Sequence, residues 1–229
     1  MNQPLRSLHL EPEIEIPDWD KEKADSFQEF ADEVFSPIYP YLCQDISKAW
    51  GRPLKDVRVL EIGGGPGNMA VELLKSDVAH VTGLDVSESM LDRTVQRLKM
   101  HDVLADRFRP VPGEASRLPF PAASFDLVFS RGSMPFWPDI QAALGEMQRV
   151  LGFGGMAYVG GGFGLSTPLD LKDRIHAERE RRMKQKPDLK PIPRLNMDDV
   201  AMAIRQLGGE HVIVRDGPAF WIQWFPHGR

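Results

Sequence analysis

From residue 57 onward, short apolar runs alternate with stretches in which apolar side chains recur every three or four positions. "VRVLEIG" (57–63) and "AHVTGLDV" (79–86) are two such runs, and their near-continuous hydrophobicity is that of strands covered on both faces. Between them "NMAVELLKS" (68–76) has the helical period. After the second run, Ser87 is placed to cap a helix whose apolar positions Leu91, Val95 and Leu98 fall at i, i+4 and i+7. "FRPVPGEA" (108–115) is a weaker strand interrupted by prolines, and "FDLVFSRG" (125–132) a strong one. A helix over 139–151 carries Ile140, Leu144, Met147 and Leu151 along one face, and "GMAYVGGG" (155–162) is the next strand. A polar, basic helix is predicted from about 168 to 186 and a short one over 198–207. "EHVIVRDGPAFWIQWF" then reads as two strands around an Asp216–Gly217 turn.

Strands separated by helices require right-handed crossovers, hence an α/β fold: a Rossmann-like, doubly wound, mostly parallel sheet. The closing strand pair predicts one antiparallel strand near the C-terminus. Residues 1–50 lie outside the alternation and are expected to form a helical cover, with residues 51–229 as the main domain and a lid segment at about 163–195.

Composition narrows the chemistry. The 229 residues are 42% hydrophobic and 27% charged, with a net charge of −5. No apolar run approaches the roughly 20 residues that span a bilayer, and the first twenty residues have no signal-peptide core. The single cysteine, Cys43, excludes an internal disulfide or a thiolate cluster. A cytoplasmic setting and no membrane span are expected. Charge is uneven: residues 1–33 carry a net of −7 and residues 171–194 a net of +5. The basic stretch reads first as a solvated helix face. Its alternatives are a cover for an anionic substrate and a dock for the acidic N-terminal segment. With pI near 5.7 and no aromatics among the bases, nucleic acid is not an expected partner. No two histidines have metal-ligand spacing, so no metal is expected.

"VLEIGGGPGN" (59–68) joins the first strand to the first helix. Turns of this kind lie where ligands bind in open α/β sheets, and their glycines let a ligand approach the backbone. A tight turn without a ligand has the same composition. The dinucleotide fingerprint G-x-G-x-x-G does not fit, because Asn68 occupies the third glycine position. The spacing present is acid-x-G-x-G-x-G, from Glu61 through Gly63, Gly65 and Gly67.

"LEIGGGPGN" resembles motif I of the class I S-adenosylmethionine-dependent methyltransferases, and three further segments extend the match. "GLDVSESML" (83–91) is similar to the motif that closes the second strand with an acid. "GEASRLPFPAASFDLVFSRGSMPFW" (113–137) resembles the family's GDAxxLPFxxxSFDxV stretch. "EMQRVLGFGGMAYVGG" (146–161) resembles its RVLxPGG segment. The nearest group is that of the ubiquinone/menaquinone-biosynthesis C-methyltransferases. Two departures are Gly152-Phe153-Gly154-Gly155 in place of Lys/Arg-Pro-Gly-Gly, and Glu114 in place of aspartate.

The resemblance implies S-adenosylmethionine as cofactor, S-adenosylhomocysteine as product and a seven-stranded sheet. It implies that Gly63, Gly64 and Gly65 line the methionine and ribose portion, with Glu61 organising the loop or reaching the ammonium group through water. Asp85 would hold the ribose hydroxyls, Val86 and Met90 the adenine faces, and Glu114 with the backbone of Ala115 the adenine edge. Ser130 and Arg131 would border the methionine end, Arg131 pairing with its carboxylate. Acceptor walls are expected from Tyr39, Tyr41, residues 132–138, residues 160–166 and the basic helix. Each of these aromatics also reads as ordinary core.

The expected reaction is methyl transfer by in-line displacement to a small-molecule acceptor, possibly anionic. "SRGS" after the fourth strand, in place of an Asn-Pro-Pro-Tyr-type tetrapeptide, argues against bases and glutamine as acceptors. His176 is a minor candidate base. The rival readings are a non-catalytic module that binds S-adenosylmethionine or its product, a transferase of the aminopropyl group, and a nicotinamide dehydrogenase.

Overall fold

A computed structural model of the chain describes residues 21–102, 105–185, 193, 195–216 and 219–229. Two helices, α1 (Lys21–Phe30) and α2 (Tyr39–Trp50), precede the sheet, joined by a π-helical turn at Ala31–Phe35 and a 3₁₀ turn at Ser36–Ile38. Then follow β1 (Arg58–Ile62), α3 (Asn68–Lys75), β2 (His80–Asp85), α4 (Glu88–Met100), β3 (Phe108–Pro112), β4 (Phe125–Arg131), α5 (Ile140–Val150) and β5 (Leu151–Gly160). The chain closes with α6 (Leu169–Gln185), α7 (Met197–Leu207), β6 (Glu210–Asp216) and β7 (Ala219–Phe225).

The seven strands lie in the order β3-β2-β1-β4-β5-β7-β6. β1 to β5 are parallel throughout. β7 pairs antiparallel with both β5 and β6, so it is the one reversed strand. This is the architecture expected from the alternation of strand and helix. The proposed Asp216–Gly217 turn reaches outside the described residues.

Side chains of the central strands alternate between two cores, as the pleat requires. Val59, Leu127, Phe129, Met156, Tyr158 and Trp221 face the side covered by α2 and α3. Leu60, Ile62, Val128, Ala157, Val159 and Trp224 face the side covered by α5 and α7. Both faces are therefore buried, which explains why these strands read as unbroken apolar runs. Ser87 caps α4, its hydroxyl accepting from the Met90 N–H at 3.3 Å.

One boundary differs from the sequence reading. β5 begins at Leu151, not at 155, because Leu151 already pairs with Phe125 before the register shifts between Phe125 and Leu127. The glycine-rich 152–155 segment is thus an irregular start of the strand, where the sequence suggested a turn before it.

Candidate functional site

Strand order reverses between β1 and β4, and their carboxyl ends open the crevice where ligands bind in such sheets. The chain leaves β1 through Gly63, whose N–H donates to the Leu84 carbonyl at 2.8 Å, tying the turn to the end of β2. Gly63 and Gly65 have φ of 67° and 56°, a conformation that costs other residues steric strain. A Cβ on Gly63 would also lie 2.4 Å from the Ser133 Cβ, and one on Gly64 would lie 2.7 Å from the Glu61 carboxyl carbon. The bareness of the turn is therefore partly structural: neighbouring groups press against it from below.

Asp85, at the end of β2, is buried. Its carboxylate accepts from the Gly65 N–H at 3.3 Å and the Ser87 N–H at 3.0 Å, joining the glycine turn to the start of α4. Burial pushes its pKa up, while these backbone donors pull it back. Glu61 is only 2% exposed. No hydrogen bond reaches its carboxylate from the described residues, and burial, reinforced by the charge of Asp85, pushes its pKa up to about 8. A buried carboxylate without a donor is costly on its own and favours a cationic or hydrogen-bonding ligand above it.

The other positions singled out by sequence separate into two groups. Val86 is 47% exposed beside Asp85, whereas Met90 is buried on α4. Glu114 is exposed and Ala115, next to it, is buried. Ser130 is buried, and its hydroxyl is engaged with that of Ser133 at 2.7 Å. Ser133 in turn donates to the Ile62 carbonyl and accepts from the Trp137 indole N–H, so this hydroxyl cluster fastens the loop after β4 to the end of β1. Arg131 donates through Nε to the Gly162 carbonyl at 3.1 Å. Its guanidinium stands 4.5 Å from the Phe35 ring centroid and 5.5 Å from that of Tyr39. Burial raises the pKa of the Tyr39 hydroxyl, an effect the nearby Arg131 charge opposes. Tyr41 packs against the core, and His176 is exposed with its ring edge-on to Phe163.

The N-terminal helices lie directly over this floor. A Cβ on Gly65 would come within 3.4 Å of the Phe27 ring. Asp32 receives the buried Arg97 guanidinium at 2.5 Å and the Asn68 amide at 3.0 Å, and Arg97 also donates to the Pro66 carbonyl at 2.6 Å. Arg93 of α4 pairs with Asp25 at 2.6 Å. Phe27, Asp32, Phe35 and Arg97 were not singled out by sequence, since nothing local marks them as neighbours of a turn thirty or more residues away.

The segment after β5 is held at its root. The Trp221 indole donates to the Phe163 carbonyl at 2.7 Å, and Asp45 of α2 accepts from the Ser166 N–H at 3.0 and 3.2 Å. Lys48 adds a bond to the Ser166 hydroxyl. Beyond this root, α6 packs back toward the π-helical turn, where Arg182 pairs with Glu33.

A family model described as a methyltransferase domain matches residues 59–155, the span from β1 into β5. The chain is 35% identical over 102 residues to 2-methyl-6-phytyl-1,4-hydroquinone methyltransferase 1, chloroplastic, of rice; the match covers 44% of this chain and 29% of that protein. It is 34% identical over 124 residues to 27-O-demethylrifamycin SV methyltransferase of Amycolatopsis mediterranei, covering 54% of this chain and 44% of that protein. The match thus spans less than half the length of either relative. Among solved structures, one from Methanococcus maripaludis, assigned as an S-adenosyl-L-methionine-dependent methyltransferase, is 29% identical with a TM-score of 0.77. It covers 91% of this chain and 94% of that one.

Proposed function

We propose, from the premise that this chain carries a class I S-adenosylmethionine-dependent methyltransferase domain, that it transfers a methyl group from that cofactor to a small-molecule acceptor. The observation that carries the reading is the floor of the crevice. A glycine turn, a buried Glu61 with no hydrogen bond among the described residues and an Asp85 already oriented by two backbone donors meet where the strand order reverses.

These residues suit the cofactor's parts. Asp85 has both carboxylate oxygens fixed by backbone N–H groups, leaving acceptor capacity for two ribose hydroxyls. Exposed Val86 offers an apolar surface to adenine, with Glu114 and the Ala115 backbone at its edge. Glu61, once ionised, would meet an ammonium group, and Arg131 supplies the positive charge for a carboxylate. The cofactor supplies a methyl carbon made electrophilic by its positive sulfur. The chain's own part is alignment and exclusion of water. In this reading residues 21–50 are the cover, with Phe27 over the turn and Phe35 beside Arg131, and residues 163–185 are the described part of the lid. His176 lies on α6 against the Phe163 ring, and no step is assigned to it.

The test is calorimetric titration with S-adenosylmethionine, S-adenosylhomocysteine and NADH. The first two are expected to bind and the third not. Asp85→Ala should weaken both at least tenfold, about 2 kcal/mol of lost hydrogen bonding, without unfolding the protein. A folded sample that binds neither sulfur ligand would end the reading. Binding with no methyl transfer across a broad acceptor screen would favour the non-catalytic module.

A further inference from the structure

The packed face of α6 changes character along its length. Leu171 and Ile175 are buried apolar positions one turn apart. The next position on that face is Arg179, which is half-buried, followed by Arg182. Arg182 is neutralised by Glu178 at 2.7 Å and by Glu33. Arg179 has no ion pair among the described residues. It stands 5.9 Å from the centroid of the Phe35 ring, the same ring that Arg131 approaches from β4 at 4.5 Å.

Two guanidinium groups therefore gather around one aromatic ring at the carboxyl end of the sheet. The carboxylates of the π-helical turn and of the packed face of α6 are engaged elsewhere, Glu33 and Glu178 with Arg182 and Asp32 with Arg97, while Glu61 lies below on the floor of the crevice. Arg131 is fixed by the Gly162 carbonyl, which holds its position without removing its charge. Burial first and the Arg131 charge second hold the Arg179 pKa below its ordinary value. Like charges brought together and partly desolvated favour a bound anion that restores neutrality. Arginine is also the side chain whose planar fork matches an oxyanion. The cofactor brings a single carboxylate, and Arg131, on the rigid sheet, is enough to meet it.

We propose that Arg179 is a specificity-determining residue that selects an acceptor carrying a carboxylate or similar oxyanion, held between α6 and the Phe35 ring; this rests on reading the crevice as the methyl-transfer site.

The full chain, saturated with S-adenosylhomocysteine, is titrated with inorganic sulfate, benzoate and the uncharged benzamide. Sulfate and benzoate should bind and benzamide should not. Arg179→Gln should weaken both anions at least fivefold while leaving S-adenosylhomocysteine within twofold, and Arg174→Gln, on the exposed face of the same helix, should change neither. Equal anion binding by wild type and Arg179→Gln, or none by the wild-type complex, would overturn the proposal. So would a tenfold loss of S-adenosylhomocysteine binding in Arg179→Gln, which would assign the arginine to the cofactor's carboxylate. Failure of the wild type to bind S-adenosylhomocysteine at all would overturn the parent reading, and this one with it.

Discussion

The floor of the crevice, residues 59–68 with Asp85, and its roof, residues 27–39 with α6, face each other but are held by different forces. The floor is built from backbone: positive-φ glycines, an N–H of the turn on the Leu84 carbonyl, and two N–H groups on the Asp85 carboxylate. The roof is built from side chains of distant segments, Asp32 on Arg97 and Asn68, Asp25 on Arg93, Glu33 on Arg182. Backbone geometry leaves a pattern in a short stretch of sequence. Long-range charge pairing leaves only scattered charges, any of which would look like a solvated surface. A rigid floor with a separately fastened roof also suits one constant ligand and one that varies between proteins.

The contrast can be broken most severely at Asp32. Arg97 is 7% exposed and would lose its carboxylate, and Asn68 would lose an acceptor. Asp32→Ala is expected to cost about 2–3 kcal/mol, discounted for the partial exposure of Asp32 itself. Hydrogen exchange should quicken over residues 21–38 more than over β1 and β4. Uniform acceleration across the sheet would show that roof and floor are one cooperative unit.

A smaller effect sharpens the floor. Glu61 has a pKa of about 8 in the folded chain, above that of an unfolded glutamate near 4.5. The folded state therefore holds the extra proton between these values, and stability falls as pH rises from about 4.5 to about 8. Glu61→Gln should flatten that part of the profile, with melting temperatures separating by about 2–4 °C for each kcal/mol involved. S-adenosylmethionine affinity of the wild type should rise over the same range as the carboxylate ionises, and the glutamine variant should lose that rise. Parallel profiles for the two proteins would show that Glu61 does not titrate there.

The smallest effect is expected at Glu33, which is 62% exposed and shares Arg182 with Glu178. Glu33→Ala should change stability by less than about 0.5 kcal/mol. A larger loss, seen in denaturant unfolding, would make this contact a principal fastening of α6.

Most of the sheet was legible because its strands are buried on both faces and their helices carry the 3.6-residue period. The late boundary assigned to β5 came from glycines that favour a turn locally, whereas pairing of Leu151 with Phe125 extends the strand across them. In the site, Glu61, the glycines and Asp85 stood out because their spacing is fixed by one strand-turn-helix unit. Ser130 borders the loop after β4, and its hydroxyl is engaged in holding that loop. The π-helical turn at 31–35 left no signal, and Phe35 with it. Arg179 had one readable sign, a cation one turn beyond Leu171 and Ile175 on an otherwise apolar stripe. The surrounding charges of the same helix hid it.

The segment after β5 has a consequence for inheritance. Phe163 is pinned by Trp221 and Ser166 by Asp45, and Leu171 and Ile175 of α6 are buried in the first core. After α6, the described chain packs on the second core through Leu195 and Met197. Any exchange of this stretch in descent therefore has to keep an apolar pair at Leu171 and Ile175 to fill the core beneath it. A laboratory graft between Ser166 and Met197 is expected to fold only where it preserves those two positions.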